Sequence, residues 1–278
     1  MARRRLDAEL TRRGLARSRE QAQELIAAGA VTVRGTVATK AATQVETSEA
    51  IEVVASADHG FVSRGAFKLS GALDTFASID LAGRDCLDAG ASTGGFTQVL
   101  LERGVARVLA VDVGYGQLAW PLRTDPRVTV MERTNVRTLT TEDLPFQPDL
   151  VVADLSFISL RLVLPSLTGC AAADCDFLLM VKPQFEVGRQ AVGDGVIRDP
   201  LIRAEAVQSV ADQAVKQGLD VLGVVASPLP GPQGNVEFFL WLRNGTGGKT
   251  VEGAAAPIRL RDDALVAAIT RAIEEGPQ

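Results

Sequence analysis

Three short stretches carry residue types able to do chemistry. "CLDAGASTGGFT" (86–97) delivers Asp88 from an apolar run into a turn bearing Gly90, Ser92, Thr93, Gly94 and Gly95. "VVADLSFISL" closes another apolar run with Asp154, and "MVKPQFE" closes a third with Lys182. Pro183 after it removes a backbone donor. A lysine seldom ends a buried strand without a partner, and Asp154 is the natural one. Glu237 in "GNVEFFLWLR" and Lys68 in "SRGAFKLSG" add a second carboxylate and a second ammonium. Each of the four, taken singly, reads as an ordinary rim charge. The chain has one histidine, His59, and three scattered cysteines, Cys86, Cys170 and Cys175. A Ser–His pair or a His-rich metal site is discounted accordingly, and the odd cysteine count suits reduced thiols in a cytoplasm.

The elements that must position these residues alternate from about residue 84 onward. Apolar runs "DCLDAG", "RVLAVDVG", "VTVMER", "DLVVADLS", "DFLLMVKP", "LDVLGVVA" and "VEFFLWLR" read as strands, with helical stretches around 95–103, 160–168 and 200–217. Near-continuous apolar strands between helices predict a mostly parallel sheet covered on both faces. The last two runs are joined only by "SPLPGPQGN", too short for a crossover helix, so they should pair antiparallel. A final amphipathic helix, "DDALVAAITRAIEE", follows a Gly-rich segment. In open α/β sheets ligands bind beyond the carboxyl ends of the strands, where Asp88, Asp112, Asn135, Asp154 and Lys182 fall.

The spacing of the glycine turn discriminates among ligands. A phosphate-binding P-loop needs Lys after its second glycine, and Phe96 stands there instead. A dinucleotide turn needs G-x-G-x-x-G, which Gly90-Ala91-Ser92 does not supply, and Asp88 would face a pyrophosphate unfavourably. A nicotinamide-dependent oxidoreductase is disfavoured on the same ground. S-adenosylmethionine (SAM) suits the residues better. Its cationic amino group and sulfonium would meet Asp88 and Asp154, its ribose diol Asp112, and its adenine edge the Asn135 amide. The plain structural alternative is that Gly94-Gly95 only start a helix close to the sheet.

The first 55 or so residues read as a separate α+β unit. "LDAELTRRG" is a short helix; Ser18 and Gln21 form a capping box opening "REQAQELIAAG"; "AVTV", "TVATK" and "AIEVVA" are strands, the first two joined by "RG". Among the first 40 residues, nine Lys or Arg oppose four acids, although the whole chain of 278 residues carries −5. A basic head on an acidic body points to nucleic acid, with a salt-bridged surface as the bland alternative. Arg12, Arg13, Arg17 and Arg19 flank the helix junction, where they could meet a phosphate backbone. No apolar run is long enough to span a membrane, and "MARRRLDAEL" lacks the apolar core of a secretory signal.

With the segments "RLDAELTRRGLARSREQA", "SRGAFKL", "CLDAGASTGGFT", "VDVGYGQLAW", "VVADLSFISL", "VKPQFEVG" and "LPGPQGNVEFFLWL", the chain resembles the TlyA family of two-domain rRNA methyltransferases over nearly its whole length. The head looks like the RNA-binding domain shared with small-subunit ribosomal protein S-four, and the body like an FtsJ-type ribose 2′-O-methyltransferase. The fold implied is a Rossmann-like SAM-dependent methyltransferase sheet with a small N-terminal α+β domain: 1–56 RNA-binding, 57–67 linker, 68–278 methyltransferase. The resemblance maps a Lys-Asp-Lys-Glu tetrad onto Lys68, Asp154, Lys182 and Glu237, with Lys182 as the base that withdraws a ribose hydroxyl's proton. It implies SAM as cofactor and cytidine ribose in ribosomal RNA or ribosomal subunits as substrate. The methyl passes from a sulfonium to oxygen and the leaving group is a neutral thioether, so the chemistry requires no metal. Arg3, Arg4, Arg5, Arg17, Arg19, Arg64 and Arg133 are the expected RNA contacts, Tyr115 a stacking platform, and Phe157 a second platform, a lid over SAM or an ordinary core ring. Family members named haemolysins raise a membrane-lytic alternative, and an inert RNA-binding or ribosome-assembly factor is another. The expected form is a cytoplasmic monomer.

Overall fold

The protein is described by a computed structural model covering residues 3–16, 18–27, 31–53, 60–188, 195–231, 233–244, 253 and 257–277. Arg17 and His59 lie outside the described residues. The chain divides into two units, Met1–Gly60 and Phe61–Gln278, so the last residues of the expected linker belong to the second unit.

In the first unit, α1 (Leu6–Arg12) and α2 (Arg19–Ala27) precede a three-stranded sheet of β2 (Val31–Val33), β3 (Thr36–Val37) and β5 (Ile51–Val53) in the order β3-β2-β5. Leu6, Leu10, Ala22, Ile26, Val31 and Val45 form its core. Arg34 and Gly35 both take positive φ in the tight turn between β2 and β3, the backbone twist that a two-residue hairpin requires. Ser18 Oγ accepts from the Gln21 backbone N–H at 3.1 Å, as its spacing predicts. A second, two-stranded ribbon pairs β1 (Arg3–Arg5) antiparallel with β4 (Gln44–Glu46). Its strands are three residues each, β1 all arginine and β4 with the single apolar Val45, too short for hydrophobic alternation to reveal them.

The second unit opens with α3 (Arg64–Thr75) and then alternates: β6 (Asp85–Ala89), α4 (Gly95–Glu102), β7 (Arg107–Val111), α5 (Trp120–Arg123), β8 (Val128–Met131), β9 (Leu150–Ala153), α6 (Leu160–Cys170), β10 (Asp176–Val181), α7 (Pro183–Glu186), α8 (Pro200–Lys216), β11 (Leu219–Ala226), β12 (Phe238–Asn244) and α9 (Asp262–Glu275). The strands form one seven-stranded sheet in the order β11-β12-β10-β9-β6-β7-β8. Every residue of β9 and β10 is buried, as a sheet covered on both faces demands. Leu69, Phe96 and Leu100 pack on one face, and Leu164, Val210 and Ile269 on the other. β11 and β12 do pair antiparallel, but β12 inserts between β11 and β10 rather than ending the sheet. Among the described residues no helix is long and apolar enough to cross a membrane.

At the amino ends of the central strands sits a buried charge cluster. Asp176, at the start of β10, accepts from Arg84 Nη2 at 2.7 Å, Trp241 Nε1 at 2.8 Å and Arg243 Nε at 2.8 Å. Arg84 Nη1 also donates to the Asp149 carbonyl at 2.6 Å, tying the entries of β6, β9 and β10 to the exit of antiparallel β12. Asp176→Ala would leave two guanidinium groups without their buried carboxylate. Denaturant unfolding should show a loss of about 3–5 kcal/mol.

Candidate active site

Parallel register brings the carboxyl ends of β6, β7, β9 and β10 to one edge, and the turn after β6 lies in their midst. Ala89 pairs with Ala153 across β6 and β9, and the Asp154 backbone N–H donates to the Ala89 carbonyl at 3.1 Å. Gly90 follows with φ 88°, and a Cβ there would stand 2.7 Å from the Asp154 carbonyl oxygen. Only glycine allows this left-handed step with so close a backbone approach. Ser92 also takes positive φ, and its N–H donates to Asp112 Oδ2 at 2.8 Å. The Gly114 N–H donates to the other oxygen of Asp112 at 2.6 Å, so the carboxylate at the end of β7 is fixed by two backbone donors. Ser92, Asp112, Gly114, Gln117 and Glu132 line a narrow pocket beside the turn. Gly94 and Gly95 lead into α4, while Asn135, whose Oδ1 accepts from the Arg137 N–H at 3.0 Å, caps a 3-10 turn.

Asp88 is fully buried. Thr97 Oγ1 donates to its Oδ2 at 2.6 Å, and its Oδ1 has no hydrogen-bond partner. Burial pushes the Asp88 carboxyl up to about 7, with the Thr97 bond opposing the shift. A buried acceptor with no donor, beside a turn with glycines at 90, 94 and 95, fits the cationic amino-acid arm of SAM.

The four charged residues fall into two pairs. Lys68, 6% exposed on α3, donates to Glu237, 1% exposed, at 2.5 Å. Lys182 lies 2.6 Å from Asp154 Oδ1 and donates to Ser156 Oγ at 2.9 Å. Asp154 Oδ1 makes its contact without hydrogen-bonding geometry, so Asp154 supplies countercharge while the directional bond goes to Ser156. Val181 pairs with Phe238 in the antiparallel register, which makes Lys182 and Glu237 the next residues outward on adjoining chains. The pairs are therefore neighbours along the sheet edge. Gly231 is packed against Glu237, where a Cβ would come within 2.7 Å of Oε1.

Several contacts were not foreseeable from spacing. Glu186, buried on α7, accepts from Ser159 Oγ at 2.5 Å and the Leu160 N–H at 2.7 Å, lacing the Lys182 turn to the start of α6. Burial raises its carboxyl, with these bonds opposing. Glu132 accepts from the Gly116 N–H at 2.7 Å and from Arg123, pinning the loop that carries Tyr115. Tyr115 is exposed, and the Arg133 guanidinium lies 4.3 Å over its ring. Phe157 is 91% exposed, with its ring 5.2 Å from that of Phe185, so it is no core residue. Arg64 donates to the Pro230 carbonyl at 3.2 Å. One helical turn before Lys68, it helps hold α3 to the loop before Glu237.

In the first unit, Arg5 and Arg19 both bind the buried Asp7, which Arg5 above all holds well below the usual carboxylate range. Arg12 and Arg13 share the buried Glu9, lowered to about 2 by the Arg12 bond first. Arg3 sits 3.7 Å from Glu46, and Arg4 is exposed at the centre of β1.

With this geometry in place, the comparisons add the following. The FtsJ-like methyltransferase family model matches residues 61–244, and the S4 domain model matches residues 4–51. The chain is 59% identical over 279 residues, the full length of both chains, to the 16S/23S rRNA (cytidine-2′-O)-methyltransferase TlyA of Mycobacterium tuberculosis. It is 41% identical to the rRNA-methyltransferase-named YqxC protein of Bacillus subtilis, over 86% of this chain and 85% of that one. The solved structure of a hemolysin-named protein from Streptococcus thermophilus superposes with a TM-score of 0.74 at 33% identity, covering 99% of this chain and 97% of the other.

Asp88 gives a pH signature. Its folded value is about 7 and its ordinary value 3.8, so between these the native state holds a proton that the unfolded chain has released. Stability from this group therefore falls as pH rises through that window and levels off above about 7. Asp88→Asn should gain stability relative to the wild type at roughly pH 8 and not at roughly pH 4, read from denaturant midpoints. SAM binding to the wild type near pH 6 should release a proton, because a cation beside Oδ1 favours the carboxylate. Calorimetry in buffers of different ionisation enthalpy measures it.

Proposed function

Given that the chain belongs to the FtsJ-like methyltransferase family, in its TlyA branch, we propose that it moves the methyl group of SAM onto the 2′-oxygen of cytidine riboses in the RNA of both ribosomal subunits. The observation that carries this reading is the pair of buried lysine–carboxylate contacts at the sheet edge, beside a glycine turn that leaves one carboxylate oxygen without a donor. Full-length likeness to an enzyme named for that reaction supports the substrate.

SAM supplies a methyl carbon made electrophilic by its sulfonium. Asp88 and Asp154 offer negative charge to its cationic groups, Asp112 an acceptor to the ribose diol, and Asn135 its amide to the adenine. Gly90, Ser92, Thr93, Gly94 and Gly95 form the backbone cradle. A ribose hydroxyl is a weak nucleophile until its proton departs, and Lys182 Nζ, acting as the free amine, receives that proton and becomes the ammonium. Asp154 then stabilises the ammonium that results, 2.6 Å away. Lys68 and Glu237 hold a second, internally compensated pair alongside. General-base help of this kind contributes ~10²–10⁴ in rate, and alignment of the reacting atoms up to ~7–11 kcal/mol. Tyr115, backed by Arg133, and Phe157 present exposed rings on which a nucleotide taken out of a helix can stack. The head contributes phosphate contacts through Arg3, Arg4, Arg5 and Arg19, and the protein acts as a single copy in the cytoplasm.

The reaction is tested by transfer of labelled methyl from SAM to separated subunits lacking the modification, followed by nuclease digestion. Label on a ribose 2′-oxygen is the expected result; label on a base overturns the ribose assignment, and no label with SAM still bound overturns the reading in favour of a binding factor. Lys182→Ala should lower turnover by about 10² or more with rRNA affinity retained. Arg4→Ala should weaken rRNA binding and reduce the slope of log affinity against log salt by about one, leaving SAM affinity unchanged. Filter binding across a salt series reads both quantities.

A further inference from the structure

Resting on that reading, we infer that Ser156 is the positioning residue for Lys182: its hydroxyl fixes the rotation of the amine so that the lone pair faces the incoming ribose oxygen. Ser156 Oγ accepts from Lys182 Nζ at 2.9 Å. It is the acceptor with hydrogen-bonding geometry toward that amine, since the nearer Asp154 Oδ1 is placed off the bonding direction. Among the described residues, the hydroxyl takes part in no other hydrogen bond. The cap of α6 is Ser159, which accepts from the Arg161 N–H, and Ser156 is exposed at the surface of the turn.

The turn is built to aim this hydroxyl. Phe157, the next residue, takes φ 63°, a left-handed step that a bulky side chain adopts only where its surroundings enforce it. At 91% exposure, burial of the Phe157 ring is not what enforces it. The constraint comes from either side. Asp154 is bound through its backbone to Ala89, and Ser159 and Leu160 both donate to the buried Glu186. Glu186 belongs to the same short helix that Lys182 caps. The acceptor turn and the lysine turn are thus laced together at three successive points: Lys182–Ser156, Phe185–Phe157 and Glu186–Ser159.

The chemistry explains why such aim matters. A neutral amine has two N–H bonds and one lone pair. With one N–H held by Ser156, the rotation of the amine is set, and the second N–H and the lone pair take the two tetrahedral directions that remain beside the Asp154 countercharge. Once the ribose proton has arrived on Nζ, the ammonium keeps both contacts and needs no reorganisation. Without the hydroxyl, Nζ rotates freely against one carboxylate, and the lone pair points at substrate only part of the time.

Ser156→Ala should lower kcat roughly tenfold or more, the loss expected for a hydrogen bond to a charged group, with KM for SAM and rRNA affinity within about twofold of wild type. Ser156→Thr, which keeps the hydroxyl, should recover most of the rate. Combined with Lys182→Ala, Ser156→Ala should cost nothing further, because the residue acts through the amine. The inference is overturned if kcat of Ser156→Ala stays within twofold of a wild type that methylates ribose, if the loss lies in KM or affinity, or if the two substitutions add. A wild type that places no methyl on ribose would overturn the proposed function itself, and is read in the same assay before any variant.

Discussion

A lysine amine removed from water must keep a carboxylate within reach, and the architecture of the second unit follows from satisfying this twice. Lys68 and Lys182 are each less than a tenth exposed, and each has an acid at 2.5–2.6 Å. An ammonium left there without its partner would cost several kcal/mol. The four residues come from α3, from the ends of β9 and β10, and from the loop entering β12. Charge compensation therefore ties together parts of the chain separated by up to 169 positions. The insertion of β12 between β10 and β11 follows the same logic. In the antiparallel register, Glu237 arrives beside Lys182 just where the strands leave the sheet. Had β12 paired only on the far side of β11, Glu237 would have been one strand further from the lysines.

The rest of the unit keeps this edge rigid. The cluster of Asp176 with Arg84, Trp241 and Arg243 holds the same strands at their opposite ends. Strand offsets are then set at one end and used at the other. Gly90 is where the two demands meet: its backbone must pass close to Asp154 while the buried Asp88 Oδ1 is left without a donor. A side chain at that step would separate β6 from β9 at the level of the site. Keeping a carboxyl buried with half its capacity unused is unfavourable for folding alone, as its raised affinity for a proton shows. Such a group makes sense where a cation is to arrive.

How much of this was legible in the sequence depended on range. Periodicity exposed the strands and helices of the second unit because their burial is nearly uniform, and "DFLLMVKP" is buried throughout β10. The pairing of Lys182 with Asp154 was legible because both close apolar strands. The order of strands was not, since nothing within "VEFFLWLR" says which neighbour it joins. The ribbon of β1 and β4 was hidden by its own composition, three arginines against a polar partner. Ser156 and Glu186 lay inside the quoted motifs, but a serine or a glutamate there carries no mark of its function. Only the folded turn shows Ser156 facing an amine and Glu186 holding the start of α6.

The arginines of the head show a further reason why counting charge falls short of locating it. Net charge treated Arg5, Arg12, Arg13 and Arg19 as four free cations, whereas buried Asp7 and Glu9 hold two each. The effect on recognition is not simple cancellation. A guanidinium has five N–H donors, and a carboxylate takes only one edge of it, leaving the other edge for a phosphate. Arg5, Arg12 and Arg19 remain substantially exposed while their orientation is held from beneath. Side-chain freedom that would otherwise be lost on binding is already lost in the fold, so each proposed contact costs less to make. Among the described residues, no carboxylate buttresses the exposed Arg4. Arginines held in place in this way present fixed donor directions, and fixed directions discriminate between arrangements of phosphates better than unheld charge does.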